Sequence, residues 1–282
     1  MASAGPSRQS FRLSVVLSAQ MASFQAATFK GDLAANLARI AQLGYDGVEV
    51  SIRDPRQVDT ESLLRLAQSH GLGIPAIGTG QAWGEEGLSF TDPDPAVRHA
   101  AIERIQSHVP FAARTGAVII LGLIRGLVRP GVAHEQAMGW LVEALHACSA
   151  AAAPEGVRLA LEPINRYETT LINNAAQGLE LIERVGAGNF GLLLDTFHMN
   201  IEEPSIEGSI RRAGDRIFHF HVADSNRWYP GGGHLDFPSL LSALAATGYR
   251  GYVSGEFLPI PDAATGAQEA IKNLRNWVQR PA

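Results

Sequence analysis

Short, nearly uninterrupted apolar runs alternate along this chain with longer stretches in which apolar residues return every three or four positions. The first kind reads as strands buried on both faces, and the second as helices with one face against a core. Leu13-Ser-Val-Val-Leu17 opens the series, and Leu33, Leu37, Ile40 and Leu43 follow at helical spacing before Gly44. Residues 47–52 form the next strand, a helix over about 59–70 carries Leu63, Leu64 and Leu66 up to Gly71, and residues 73–77 are a third strand. A glycine-rich loop over 78–84 then leads to a long helix over about 95–115, a fourth strand over 117–121 and a helix over about 134–152. Four further strands end at Glu162, Asp195, His221 and Glu256. Helices over about 175–185, 206–213 and 237–246 separate them, and one with Ile271, Leu274 and Trp277 closes the chain.

Strand followed by helix, about eight times over, is the pattern of a single-domain (β/α)₈ TIM barrel. The domain spans 11–282 behind a small, polar and flexible segment, 1–10; a doubly wound open sheet is the alternative. At 282 residues and 46% hydrophobic content the chain can bury one large core. Its net charge of −5 supplies no basic stripe for a phosphate backbone, which argues against nucleic acid as a partner. Cys148, the single cysteine, sits in an Ala-rich helical run as a buried thiol, so no disulfide framework exists and a cytoplasmic, reducing compartment fits. No apolar run is long enough to span a bilayer, so no membrane partner is expected. The run 13–17 is short for a secretory signal, and cleavage after it would remove the first strand. The 78–84 loop lacks the lysine and hydroxyl of a phosphate-binding P-loop.

The candidate chemistry lies at the strand ends. In parallel sheets ligands collect at the carboxyl ends of the strands, so Glu162, Asp195, His221 and Glu256, from strands five to eight, should meet at one mouth. Three carboxylates there would repel and raise one another's pKa unless a cation neutralised them, and the lone imidazole suits a divalent transition ion better than calcium. His219 shares a face with His221 by the period of two, but His221 is nearer the mouth and is the expected ligand.

The stretches Glu-Pro-Ile-Asn-Arg-Tyr-Glu (162–168), Asp-Thr-Phe-His-Met-Asn-Ile-Glu-Glu (195–203), His-Phe-His-Val-Ala-Asp-Ser-Asn-Arg-Trp (219–228) and Gly-Glu-Phe-Leu-Pro (255–259) resemble the sugar isomerase/epimerase superfamily of xylose isomerase-like barrels. Within it the likeness is to the ketose 3-epimerases of the D-tagatose/D-psicose type, and most closely to the 5-keto-L-gluconate epimerase branch. The resemblance implies that Glu162, Asp195, His221 and Glu256 bind Mn²⁺, or Mg²⁺ or Co²⁺ in its place, and that Glu168, His198 and Arg227 touch a sugar or sugar acid. It implies a homo-oligomer, dimer or tetramer. It further implies inversion at C3 of a ketose or keto-aldonate, in which Glu162 and Glu256 remove and return a proton on opposite faces of a metal-held enediolate. Arg125, in the loop after the fourth strand, is the candidate to clamp the carboxylate of an acidic sugar.

Other functions stay open at this stage. A keto-aldo isomerase of the hydroxypyruvate type or an inosose-type dehydratase would use the same metal and carboxylates. A metal-dependent nuclease on this barrel would require a basic face and more ligands. A non-catalytic sugar-binding barrel would be expected to lack one of the two acids.

Overall fold

The computed structural model describes residues 11–21 and 23–278. The expected flexible segment 1–10 lies outside the described residues. The first half of the chain runs β1 (Arg12–Ser18), α1 (Leu33–Gln42), β2 (Gly47–Ser51), α2 (Thr60–Ser69), β3 (Ala76–Gly78), α3 (Gln81–Glu86), α4 (Pro95–Ser107), α5 (Val109–Thr115), β4 (Val118–Leu121) and α6 (His134–Ala152). It continues with β5 (Leu159–Leu161), α7 (Ala175–Val185), β6 (Phe190–Asp195), α8 (Thr196–Glu202), α9 (Ile206–Ala213), β7 (Ile217–Val222), α10 (Phe237–Ala246), β8 (Tyr252–Gly255) and α11 (Ala263–Val278).

The eight strands close into one parallel barrel in chain order, β1 pairing β8 from Arg12 opposite Tyr252 to Val15 opposite Gly255. Both faces of the sheet are covered, which is why the strands read as apolar runs. Inside, Ala76, Val118, Ile120, Ala160 and Leu193 form a small cluster of their own. Outside, residues such as Val15, Val48, Ile77, Leu161 and Leu192 join the apolar faces of the helices in a continuous core. Local chemistry starts the helices where the chain needs them. The side chains of Asp32, Asp59, Asp94, Asn174, Ser205 and Asp236 each accept a first-turn backbone N–H, a contact that stabilises a helix by about 1 kcal/mol. No helix among the described residues is long and apolar enough to cross a membrane.

Three elements differ from expectation. The long helix over about 95–115 is two, broken at His108, because Pro110 cannot donate to a preceding carbonyl and its ring crowds the turn before it. The 78–84 loop contains the start of α3. The residues after Asp195 form α8 rather than a loop, since Asp195 itself caps that helix, Oδ1 accepting from Phe197 N at 2.9 Å.

Strand β6 approaches β7 so closely at Gly191 that an added Cβ would lie 2.7 Å from both the Arg216 carbonyl oxygen and Phe218 Cδ2. Gly191→Ala is therefore expected to destabilise the barrel by about 1–3 kcal/mol through overpacking. By contrast, a Cβ at Gly139, inside α6, meets nothing within 4 Å, so Gly139→Ala should stabilise by about 0.5–1 kcal/mol. Chemical denaturation of the two variants checks both signs; equal shifts would refute the packing account.

Candidate active site and metal centre

The last strands deliver their acids to one corner of the mouth. Asp195 ends β6, Glu162 and Glu256 directly follow β5 and β8, and His221 on β7 lies in register with Asp195 and Ser254. One atom from each of Glu162, Asp195, His221 and Glu256 lies within 4.8 Å of all the others. His221 Nδ1 is 3.9 Å from Glu162 Oε1 and 3.8 Å from Glu256 Oε2. Glu162 Oε1, Asp195 Oδ2 and His221 Nδ1 are buried and have no hydrogen-bond partner among the described residues. Leaving one such atom unsatisfied costs about 1–3 kcal/mol, and here three converge. Burial raises the pKa of Glu162 well above the carboxylate range, with the charge of Glu256 adding to it. Burial also raises Asp195, and it lifts Glu256 to about 7 even though His221 and Arg227 oppose it. The cost of charge that these shifts express is what a divalent cation removes, so the donor set of three carboxylates and one imidazole fits a divalent metal ion.

Sequence reasoning missed the group that holds His221. Glu49, in the middle of β2 and 1% exposed, faces into the barrel and meets His221 Nε2 at 2.9 Å and His219 Nε2 at 2.8 Å. With the Nε2 proton donated to Glu49, Nδ1 is left as the free donor atom toward the three acids. Burial alone would push Glu49 up, but the charge of His221 and the bonds from both imidazoles hold it far below the usual range. His221 in turn is raised well above its ordinary value: burial opposes its charge, and Glu49 and Glu256 outweigh burial. A divalent ion held here would take the place of that proton on Nδ1. The available signal was a carboxylate within the apolar strand Gly-Val-Glu-Val-Ser, placed inward by the period of two.

Glu168, His198 and Arg227 all line the same cavity, of about 210 Å³. Asn165 sets the state of His198. Its Oδ1 accepts from Tyr167 N at 3.0 Å, so its Nδ2 donates to His198 Nδ1 at 2.8 Å and to Glu168 Oε1 at 2.9 Å. His198 is thereby the Nε2–H tautomer, with that nitrogen 3.7 Å from Glu162 Oε1. Burial, reinforced by the charge of Arg227, lowers its pKa well below the usual value, which keeps it neutral. Arg227 reaches Glu168 Oε1 at 3.2 Å and Glu256 Oε2 at 3.5 Å, and its guanidinium lies 4.9 Å from the centre of the Phe197 ring. Its backbone is left-handed, φ 61°, a strained state for a residue with a Cβ and one that clusters at functional sites.

Arg125 corrects the expectation of a carboxylate clamp. It is fully buried and turned away from the cavity: Nε donates to Gly122 O at 3.0 Å, Nη1 to Ile172 O at 2.9 Å, and Nη2 to the carbonyl of Glu162. Burial draws its pKa down to about 10, against the pull of Glu162 and Glu168. With four of its five N–H groups directed at backbone carbonyls and its side chain outside the lining of the cavity, this guanidinium braces the loop that carries Glu162 and does not reach a substrate there.

Replacing Glu49 by Gln removes the anionic anchor behind His221 while keeping its shape. Glu49→Gln is expected to weaken divalent-metal affinity by about 10–100-fold, measured by titration calorimetry on metal-stripped protein. Unchanged affinity would show that His221 needs no such anchor.

The family model described as the xylose isomerase-like TIM barrel matches residues 37–277. An L-ribulose 3-epimerase from Mesorhizobium japonicum is 35% identical over 238 residues, covering 83% of this chain and 78% of that protein. A D-psicose 3-epimerase from Ruminiclostridium cellulolyticum is 33% identical over 221 residues, covering 76% of this chain and 74% of its own. Among solved structures, that of an L-ribulose 3-epimerase superposes with a TM-score of 0.81 at 28% identity, covering 95% of both chains. The barrel, the four side chains gathered at its mouth and these likenesses agree: the chain belongs to the xylose isomerase-like TIM barrel family.

Proposed function

We propose that this protein is a metal-dependent ketose 3-epimerase, acting on a free ketose of the L-ribulose or D-psicose kind and using manganese. The carrying observation is the convergence of Glu162, Asp195, His221 and Glu256, with three of their buried atoms left unpartnered. The names of the relatives support the same reading. The expectation of a keto-aldonate substrate leaned on Arg125, which is fully buried and does not line the cavity, so a neutral ketose is the better reading.

An ion held by these four residues supplies Lewis acidity that makes the proton on the carbon beside the carbonyl easier to remove. Glu162 and Glu256 flank His221 from β5 and β8, so a sugar seated against the cluster has an acid on either side of C3. One carboxylate takes the C3 proton to give an enediolate, and the other returns a proton from the opposite face, inverting the centre. His198 donates from Nε2 to a substrate oxygen, and Glu168, whose Oε1 takes both protein bonds, offers Oε2 to a hydroxyl. Arg227 holds Glu168 and Glu256 in place and shields the site with Phe197 and Phe24.

Glu162→Gln and Glu256→Gln are each expected to lower kcat by about 10²–10⁴-fold or more in protein with an unchanged circular dichroism spectrum. Turnover in deuterated water should place label at C3 of the product. Transfer of label between C1 and C2, or loss of water, would replace epimerisation by isomerisation or dehydration. Stripping the metal with a chelator should abolish activity and lower Tm, since an ion at about 100 times its Kd contributes about 2.7 kcal/mol. Full activity after verified removal would overturn the metal requirement.

A further inference from the structure

Across the mouth from the acids, the wall is made by the ends of β1 to β3 and the start of α3, where Gln81 lines the cavity while only 4% exposed. Its amide orientation is set by its neighbours. Ser18 Oγ donates its one hydrogen to the Gln20 carbonyl at 2.5 Å, so toward Gln81 it can only accept. Gln81 Nε2 therefore faces the serines, donating to Ser18 Oγ at 2.7 Å and to Ser51 Oγ at 2.8 Å. Both amide hydrogens are spent, and Gln81 Oε1 is left buried without a partner. Ser51, which also lines the cavity, accepts from Gln81 and keeps its own hydrogen, for which no acceptor exists among the described residues. An unsatisfied buried acceptor beside a spare hydroxyl hydrogen matches a ligand group that both gives and takes a hydrogen bond.

We propose that Gln81, together with Ser51, reads a hydroxyl on the distal carbons of the substrate and so selects an uncharged ketose over one oxidised to a carboxylate at that end. The inference rests on the ketose 3-epimerase reading, which places C3 between Glu162 and Glu256, and adds that the carbons beyond C3 extend across the cavity toward the wall made by β1 to β3. A hydroxyl donates to Gln81 Oε1 and accepts from Ser51. A carboxylate has no proton to give, and its charge would face the unpartnered Gln81 oxygen. Among the described residues lining the cavity, Arg227 is the only arginine or lysine, and it is tied to Glu168 and Glu256 on the other side. Placing an unpaired charge against an acceptor in a largely buried site is strongly disfavoured.

The test uses the manganese-loaded full-length protein and five probes: a 2-ketohexose, its 4-, 5- and 6-deoxy forms, and the same sugar carrying a C6 carboxylate. Both kcat/KM and, by calorimetry, Kd are measured. Loss of the hydroxyl that Gln81 reads should cost about tenfold or more in wild-type protein, and the C6 carboxylate should be poorer still. In Gln81→Met the parent sugar should fall to the level of that deoxy form, so the discrimination disappears, while manganese affinity stays the same. The proposal is overturned if all deoxy forms match the parent, if the C6 carboxylate is handled as well as the parent, or if Gln81→Met lowers parent and deoxy sugars equally. Should that variant fail to fold, the wild-type series alone decides. Should no ketose be epimerised, the 3-epimerase reading falls, and the Kd series still decides what Gln81 recognises.

Discussion

Three carboxylates and an imidazole occupy one dry corner of the barrel, and everything around them answers the electrostatic cost of putting them there. Glu162, Asp195 and Glu256 come from strand ends spread over β5 to β8, so their proximity is a property of barrel closure and not of local sequence. Burial in a medium of low polarity disfavours their charged forms and raises all three acids, and for Glu162 the charges of Glu256 and Asp195 add to it. Two of the acids are spared in part by a second contact. Asp195 gives one oxygen to the N-terminus of α8, where the helix dipole favours a negative charge, and Glu256 lies beside Arg227. What remains is Glu162 Oε1, Asp195 Oδ2 and His221 Nδ1, buried in one cluster and without a hydrogen-bond partner among the described residues.

Behind that corner the barrel interior is charged as well. Glu49 and its two histidines form a buried acid with two N–H donors, and Arg125 is a buried cation whose hydrogen bonds end on the carbonyls of Gly122, Glu162 and Ile172. Ile172 takes up a left-handed backbone, φ 55°, in the loop that presents those carbonyls. Buried charges are tolerated only when each donor and acceptor is paired, and the pairing makes these groups rigid supports. His221 is gripped at Nε2 and Glu162 is held at its backbone, so the atoms they offer the cavity are placed before any ligand arrives.

The eight strand and helix units were legible because strands buried on both faces and one-sided helices have different periods, and the three acids and the imidazole were legible because each ends an apolar run. Glu49 escaped because it sits in the middle of a strand, where inward direction decides its role and strand-end position says nothing. Arg125 looked like a mouth residue because the sequence shows that it follows β4 but not that its side chain folds back to the carbonyls at 122, 162 and 172. The break at His108 was readable from Pro110, and α8 from Asp195 as a capping residue. Gln81 had no signal of its own: its meaning comes from Ser18 and Ser51, which reach it from two other strands.

The central claim is that one divalent ion is seated among Glu162, Asp195, His221 and Glu256. Crystals of the manganese-loaded protein, with anomalous diffraction recorded at the manganese edge, test it most directly. A single peak bonded to the three acids and to His221 Nδ1, with Glu49 still against Nε2, is the expected result. A peak among Glu49, His219 and His221 instead, the other metal-competent trio among the described residues, or no peak at saturating manganese, would contradict the account.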